Sequence, residues 1–273
     1  MTGILEVSSE WLALREPEDA DARSRDLALT VAQLVHPGPV VVHDLGSGTG
    51  SMMRWLAPLL PGPQAWVLHD WNSELTDRAI SEAPPRDGGG GAVSVRSKTG
   101  NLAQLRASDL AGASLVTASA LLDVLTSREI HAIVNACLRA GCPALFALSV
   151  TGEVRLAPRD ELDPAFERAF NAHQVREEHG RQQLGRHGAA IARGLFTEAG
   201  WHVRPSTTVW RLDRRRARLL REWFEGWTDA ALEQEPALAA VATDYRERRA
   251  SQLESGELSV HIRHLDLLAW PRA

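Results

Sequence analysis

The stretch Val40-Val41-Val42-His43-Asp44-Leu45-Gly46-Ser47-Gly48-Thr49-Gly50 constrains this chain more than any other. Val40 to Asp44 reads as a buried strand: short, β-branched and bounded by turn residues. The glycine-rich turn after it suits a backbone passing close beneath a ligand, where a Cβ would block the approach or forbid the dihedrals. Met52, Leu56, Leu59 and Leu60 then share one helical face as far as Pro61-Gly62. A helix entered from such a turn aims free N–H groups, and the positive end of its dipole, at a ligand's polar atoms.

The same unit recurs downstream. Residues 65–70 read as a second strand and 73–83 as a second helix. Pro84-Pro85-Arg86-Asp87 and the glycines 88–91 form a surface loop. Residues 92–97 make a third strand at a sheet edge, 114–118 a fourth and 144–148 a fifth. Ile130, Ile133, Val134, Cys137 and Leu138 mark the helical face between the last two. This rhythm implies a parallel sheet with helices on both faces. Ahead of it, Leu27, Val31, Leu34 and Val35 mark a helix stopped by His36-Pro37-Gly38-Pro39. Behind it, residues 151–186 are polar and partly helical, and a helix from 187 to 199 ends at Gly200. Residues 201–212 read as a strand interrupted by Pro205, 213–255 as a charged helical stretch, and 258–270 as a last strand with alternating Val260 and Ile262. Two long strands joined by an excursion, rather than by a standard crossover helix, suggest an antiparallel hairpin at one edge.

Composition narrows the function. An apolar share of 44% builds a real core, while a net charge of −5 and no basic run longer than Arg214-Arg215-Arg216 argue against a nucleic-acid partner. No apolar run spans a bilayer, and Met1-Thr2-Gly3-Ile4-Leu5-Glu6 lacks a secretory leader's basic and apolar regions. Cys137 and Cys142 read as free buried thiols of a reducing compartment. A cytoplasmic enzyme of small molecules is the expectation. Tryptophan is abundant beside the single Tyr245; Trp11, Trp55, Trp66 and Trp71 either line a pocket or fill the core.

Two ligand families use a turn of this kind. A dinucleotide brings a pyrophosphate and the spacing G-x-G-x-x-G. Here Ser51 takes the third glycine's place and Asp44 precedes the turn. A carboxylate repels a pyrophosphate but attracts the ammonium and sulfonium of S-adenosylmethionine. The stretch resembles the D-x-G-x-G-x-G signature of class I S-adenosylmethionine-dependent methyltransferases. That resemblance implies a cofactor site of Asp44, Gly46, Ser47, Gly48 and Gly50. Asp70, ~20 residues past the turn, is the acid expected to grip ribose hydroxyls, since a carboxylate accepts two hydrogen bonds from a diol. Trp71 is then set to pack on adenine. Thr99-Gly100-Asn101-Leu102 resembles the family's adenine-reading G-D-L element, with Asn101 where an acid is common. Ser119 and Ala120, at the end of the fourth strand, are implied to lie beneath the methionine part.

The resemblance covers most of the chain. It implies an α/β, Rossmann-like seven-stranded sheet, mostly parallel, with a C-terminal antiparallel hairpin and helices on both faces. Residues 1–36 form an N-terminal helical cap; 37–273 form the methyltransferase domain, with a lid insertion at 151–186 and a helical insertion at 213–255. The segments Trp11 to Pro17 and Phe170 to Gln174 look like those of bacterial small-molecule enzymes, many of them tied to secondary metabolism. Methyl transfer is an in-line displacement that requires no metal, and a base helps when the acceptor is a hydroxyl or an acidic carbon. His173 is the candidate base, with His187 and His179 weaker. Gln174 is a candidate for orienting substrate, and Arg15 or Arg23 for binding a carboxylate. Asp123 either faces substrate or caps a helix. An O- or N-directed methyltransferase leads; a nicotinamide or flavin oxidoreductase, and a cofactor-binding protein without catalysis, are the alternatives.

Overall fold

A computed structural model describes residues 7–35, 38–178 and 180–272. The leader reading at residues 1–6, the stop at His36-Pro37 and the candidate base His179 lie outside the described residues.

The parallel core follows the β-branched and apolar runs: β1 (Val40–Leu45), β2 (Gln64–Asp70), β3 (Ser94–Thr99), β4 (Leu115–Ser119) and β5 (Ala144–Ala157). After them come the long partners β6 (His202–Leu212) and β7 (Ser259–Trp270). The seven strands lie in the order β3-β2-β1-β4-β5-β7-β6, with β7 antiparallel to both its neighbours. The order reverses between β1 and β4, and open α/β sheets place their ligand crevice at such a switch point.

Helices cover both faces. Leu27, Ala28 and Val31 of α2 (Arg25–Leu34), Met52, Met53 and Leu56 of α3 (Ser51–Leu56), and Ala79 of α4 (Ser73–Ser81) pack with Val40, Val42, Trp66 and Leu68. On the other face, Ile130, Ile133, Val134 and Cys137 of α5 (Ser127–Ala140) join Ala189, Ala192 and Phe196 of α7 (Gly188–Glu198) over Val116, Ala118 and Phe146. Thr126 and Glu129 form a capping box that starts α5.

A third cluster, around Trp210, Trp227, Phe166 and Tyr245, joins the ends of β5, β6 and β7 to α6 (Asp163–His173), α8 (Ala217–Gln234) and α9 (Ala239–Glu254). Phe166 stacks on Tyr245 with ring centroids 4.5 Å apart.

Several expectations need amendment. The N-terminal helical stretch is two helices, α1 (Ser9–Ala22) and α2, broken at Arg23-Ser24, where Ser24 caps the second through Leu27 N. α2 packs into the main core rather than forming part of a separate cap. β5 runs on to Ala157, so the first residues of the expected lid at 151–186 belong to the sheet, where they pair with the start of β7. α6, from the same segment, packs on α8. Pro205 does not interrupt β6, because that strand is the outermost and a missing N–H on its free side costs no ladder bond. Trp66 is core, 1% exposed. Both cysteines are free and buried. Among the described residues no helix is long and apolar enough to cross a membrane.

Candidate functional site

A cavity of about 330 Å³ opens at the C-terminal ends of the parallel strands and is roofed by α1. Its first half is the bend after β1. Gly46 and Gly48 take φ of 61° and 51°. A Cβ on Gly46 would stand 2.7 Å from Leu121 Cδ1, so the backbone there lies as close to its neighbour as glycine allows. Gly50 stands outside the lining and opens α3. That helix has only six residues before a tighter turn at Ala57–Leu59.

Asp44 sits at the mouth of the bend, 1% exposed. Its Oδ1 accepts from Thr117 Oγ1 at 2.7 Å, while its Oδ2 is buried and has no partner. Burial pushes this carboxyl up to about 6, against the pull of the Thr117 hydrogen bond and the Arg23 charge. A buried carboxylate oxygen without a donor is costly unless a ligand supplies one. Ser47 Oγ, also in the lining, is likewise buried and unpartnered.

Asp70 ends β2 and braces the bend. Its Oδ2 accepts from Gly48 N at 2.8 Å and its Oδ1 from Asn72 N at 3.0 Å. Burial raises its pKa, and those backbone bonds oppose the rise. Each oxygen keeps a lone pair for a ligand hydroxyl. Trp71, next along, is 40% exposed beside the cavity. Asn101 Oδ1 accepts from Ala103 N at 2.8 Å, so the side-chain carbonyl is engaged by its own turn and its amide N–H groups are what it can offer. Leu102, Ser119 and Ala120 also line the cavity. Ala120 and Leu148, following β4 and within β5, hold positive φ of 50° and 55°. Non-glycine residues adopt this region at a cost, and both stand in the cavity wall. Asp266 of β7 supports the second, accepting Leu148 N at 2.7 Å.

The other half lies over β5, β6 and β7. Arg15 lines it, with Nε 2.9 Å and Nη2 3.2 Å from the Asp19 carboxylate and its guanidinium 5.2 Å from the Trp210 ring centroid. Asp123 also lines it; its Oδ1 is buried without a partner, and burial raises its pKa. Arg181, which opens the second of two short paired strands (Glu177–Glu178 and Arg181–Gln182), reaches in and makes a two-pronged bond to Glu129 at 2.7 and 2.9 Å. Trp11, Trp210, Trp223 and His264 complete this half.

The structure brings together Asp44, Gly46, Ser47, Gly48, Asp70, Trp71, Asn101, Leu102, Ser119, Ala120, Arg15 and Asp123. Besides Gly50, it leaves out four of the expected residues among those described. His173 points away from the cavity, its Nε2 3.0 Å from Glu233 Oε2 of α8, because α6 docks on α8 rather than over the strand ends. Gln174, at the end of the same helix, lies against Gly185 and not in the lining. His187 is exposed outside it. Arg23 is buried behind the wall, its Nη2 3.0 Å from both Ser51 Oγ and Ser119 Oγ. Its donors hold the wall together, so it is not placed to grip a substrate. His264 escaped the sequence reading, although it stands in phase with the buried Val260 and Ile262 of β7, where a polar residue is unusual.

No protein-family model matches the chain, and no curated protein matches it. Among solved structures it is similar to the YcgJ protein of Bacillus subtilis, at 12% identity over 91% of this chain and 100% of that one, with a TM-score of 0.50. It is also similar to the cyclopropane synthase MmaA2 of Mycobacterium tuberculosis, at 14% identity over 96% and 94% of the two chains, again with a TM-score of 0.50. With the strand order above, these likenesses identify the fold as a Rossmann-like, seven-stranded α/β fold shared with those two proteins.

Proposed function

We propose that this chain is an S-adenosylmethionine-dependent methyltransferase that modifies a small molecule at oxygen or nitrogen. One observation carries the reading: a buried carboxylate oxygen, Asp44 Oδ2, without a donor at the mouth of a side-chain-free bend. A pyrophosphate would be repelled there, whereas a cationic amino acid moiety supplies both charge and hydrogen bonds. Asp44 and Ser47 would hold that moiety, Asp70 the ribose hydroxyls, and Trp71 with Asn101 and Leu102 the base; Ser119 and Ala120 would lie beneath the reacting end. Bound in this way, the cofactor supplies a methyl group already activated on sulfonium sulfur. Alignment of the acceptor and exclusion of water remain for the protein. α1 serves as the roof, held down by Arg54, which bonds Glu16 of α1 at 2.7 Å and the Thr49 carbonyl of the bend at 2.7 Å. The region ending at 36 and the segments at 151–186 and 213–255 are assigned as cover and support for this domain. The acidic net charge favours a small-molecule partner over nucleic acid. Equilibrium dialysis against S-adenosylhomocysteine and against NADH tests the reading: the first is retained and the second is not. Retention of NADH alone would transfer the site to the dinucleotide binders.

A further inference from the structure

We propose that the second half of the cavity is built for a flat aromatic acceptor carrying an O–H or N–H on the atom that is methylated, and that the His264 imidazole receives that proton. This rests on the methyltransferase reading above.

The walls argue for flatness. Trp11 of α1, Trp210 of β6 and Trp223 of α8 reach the same space from three elements. Two of them are braced: Trp223 stacks on Trp227 at 5.5 Å, and Trp210 carries the Arg15 guanidinium on its ring and donates Nε1–H to Asp19 at 3.1 Å. Rigid indole surfaces favour a planar ring over a flexible chain.

The polar atoms argue for a donor. The two guanidiniums in this half are each engaged two-pronged by a carboxylate, Arg15 by Asp19 and Arg181 by Glu129. A ligand carboxylate therefore meets cations already neutralised. The acceptors are idle instead: Asp123 Oδ1 and His264 Nδ1 are buried and unpartnered. A ligand that satisfies them must bring hydrogens. Arg181 Nε is a third idle atom, a donor suited to an oxygen substituent on the ring.

His264 is 4% exposed, on the strand face that carries Ile262 and Asp266. Val150 of β5 and Thr208 of β6 stand beside it in the ladder, Trp210 lies 5.5 Å from its ring centroid, and Arg15 of α1 is the nearby cation. Burial and that cation keep the imidazole neutral, with its pKa pushed down to about 3, so a lone pair is available. A weak base suffices here. As the acceptor's lone pair forms its bond to the methyl carbon, the carbon–sulfur bond breaks and its electron pair leaves on sulfur. The alkylated heteroatom becomes far more acidic, and its proton passes to His264 and then to solvent.

The test uses the full chain. Loaded with S-adenosylhomocysteine, it is titrated with 6-hydroxyquinoline, quinoline and cyclohexanol. The first should bind at least about tenfold more tightly than the second, which lacks the donor, and the third, which lacks the plane. His264→Gln and the isosteric Asp123→Asn should each erase the preference over quinoline while leaving S-adenosylhomocysteine affinity and the circular dichroism spectrum unchanged. In a labelled-methyl screen of aromatic and aliphatic alcohols and amines, aromatic compounds should be the ones methylated. On them His264→Gln should lower kcat by about 100-fold with little change in KM for S-adenosylmethionine. Equal binding of quinoline, an aliphatic compound as the best acceptor, or full kcat in His264→Gln overturns the proposal. Failure of S-adenosylhomocysteine itself to bind overturns the cofactor reading instead.

Discussion

Under the proposed function Asp44 holds the cofactor's cationic end, and its protonation then gives binding a pH dependence of known sign. Burial raises its pKa to about 6, so the unliganded carboxyl is half protonated near there. A cation binds the ionised form. S-adenosylmethionine affinity is therefore expected to be level above about pH 6 and to fall as pH drops, by up to about tenfold per unit. Calorimetry from pH 5 to 8 measures this, and Asp44→Asn should flatten the curve at low affinity. A pH-independent affinity in the wild type contradicts the pairing. Asp70→Ala removes the proposed ribose partner together with the brace on Gly48 N, and should weaken binding by on the order of 1–3 kcal/mol. Gly48→Val forces a branched side chain into φ of 51° with Leu12 Cδ1 3.1 Å from its Cβ. It should lose cofactor binding while costing the fold only about 1–3 kcal/mol in a denaturant melt. Survival of binding in that variant puts the bend elsewhere.

At the scale of elements, α1 is tied to the sheet by a polar cluster as well as by the apolar contacts of Trp11, Leu14 and Ala22. Asp19 accepts from Arg15 and from Trp210 Nε1, and lies 3.9 Å from the buried Arg23. Asp19→Ala leaves both guanidiniums without their carboxylate and should cost about 3 kcal/mol or more in denaturant unfolding; a loss below about 1 kcal/mol would refute the tie. β1 and β2 carry a second polar device, His43 Nδ1 2.9 Å from His69 Nε2 on the face opposite the cavity bend. Burial lowers both imidazoles to about 4, helped by the Arg96 and Lys98 charges. Their folded pKa lies below the unfolded value, so the neutral pair contributes full stability above about pH 6.5. That contribution is lost as pH falls towards 4, on the order of 3 kcal/mol for each imidazole. Urea unfolding across that range should show the loss, and His43→Leu with His69→Met should remove it. The elements themselves were legible where apolar period and turn residues agreed, as in β1, β2, β4 and α5. The continuation of β5 past Leu148 was hidden, because residues 149–157 form a strand only by pairing with β7, more than a hundred positions away. The break between α1 and α2 was visible in Ser24, a good cap, but α1 itself carries too weak an apolar stripe to show where it ends.

For the whole molecule, the parallel sheet was legible in the alternation of strands and helices, its hairpin in the family resemblance, and the place of the first half of the cavity in the glycine bend after a buried strand. The second half was not, because its residues come from α1, β5, β6, β7, α8 and the segments carrying Asp123 and Arg181, and meet only in the folded chain. His173 was misjudged for that reason: its segment folds as α6 against α8, and a residue of the last strand, His264, takes the place beside the cavity. A ligand that binds the folded chain alone stabilises it by mass action, about 2.7 kcal/mol at a hundredfold excess over Kd. S-adenosylhomocysteine at that excess should raise the melting temperature by about 5 °C, and NADH should leave it unchanged. The most direct measurement is a crystal structure with S-adenosylhomocysteine bound. The account predicts the ligand's ammonium within hydrogen-bonding distance of Asp44 Oδ2 and its ribose hydroxyls on Asp70. A nucleoside lodged elsewhere, or Asp44 Oδ2 still without a donor in the complex, would contradict it.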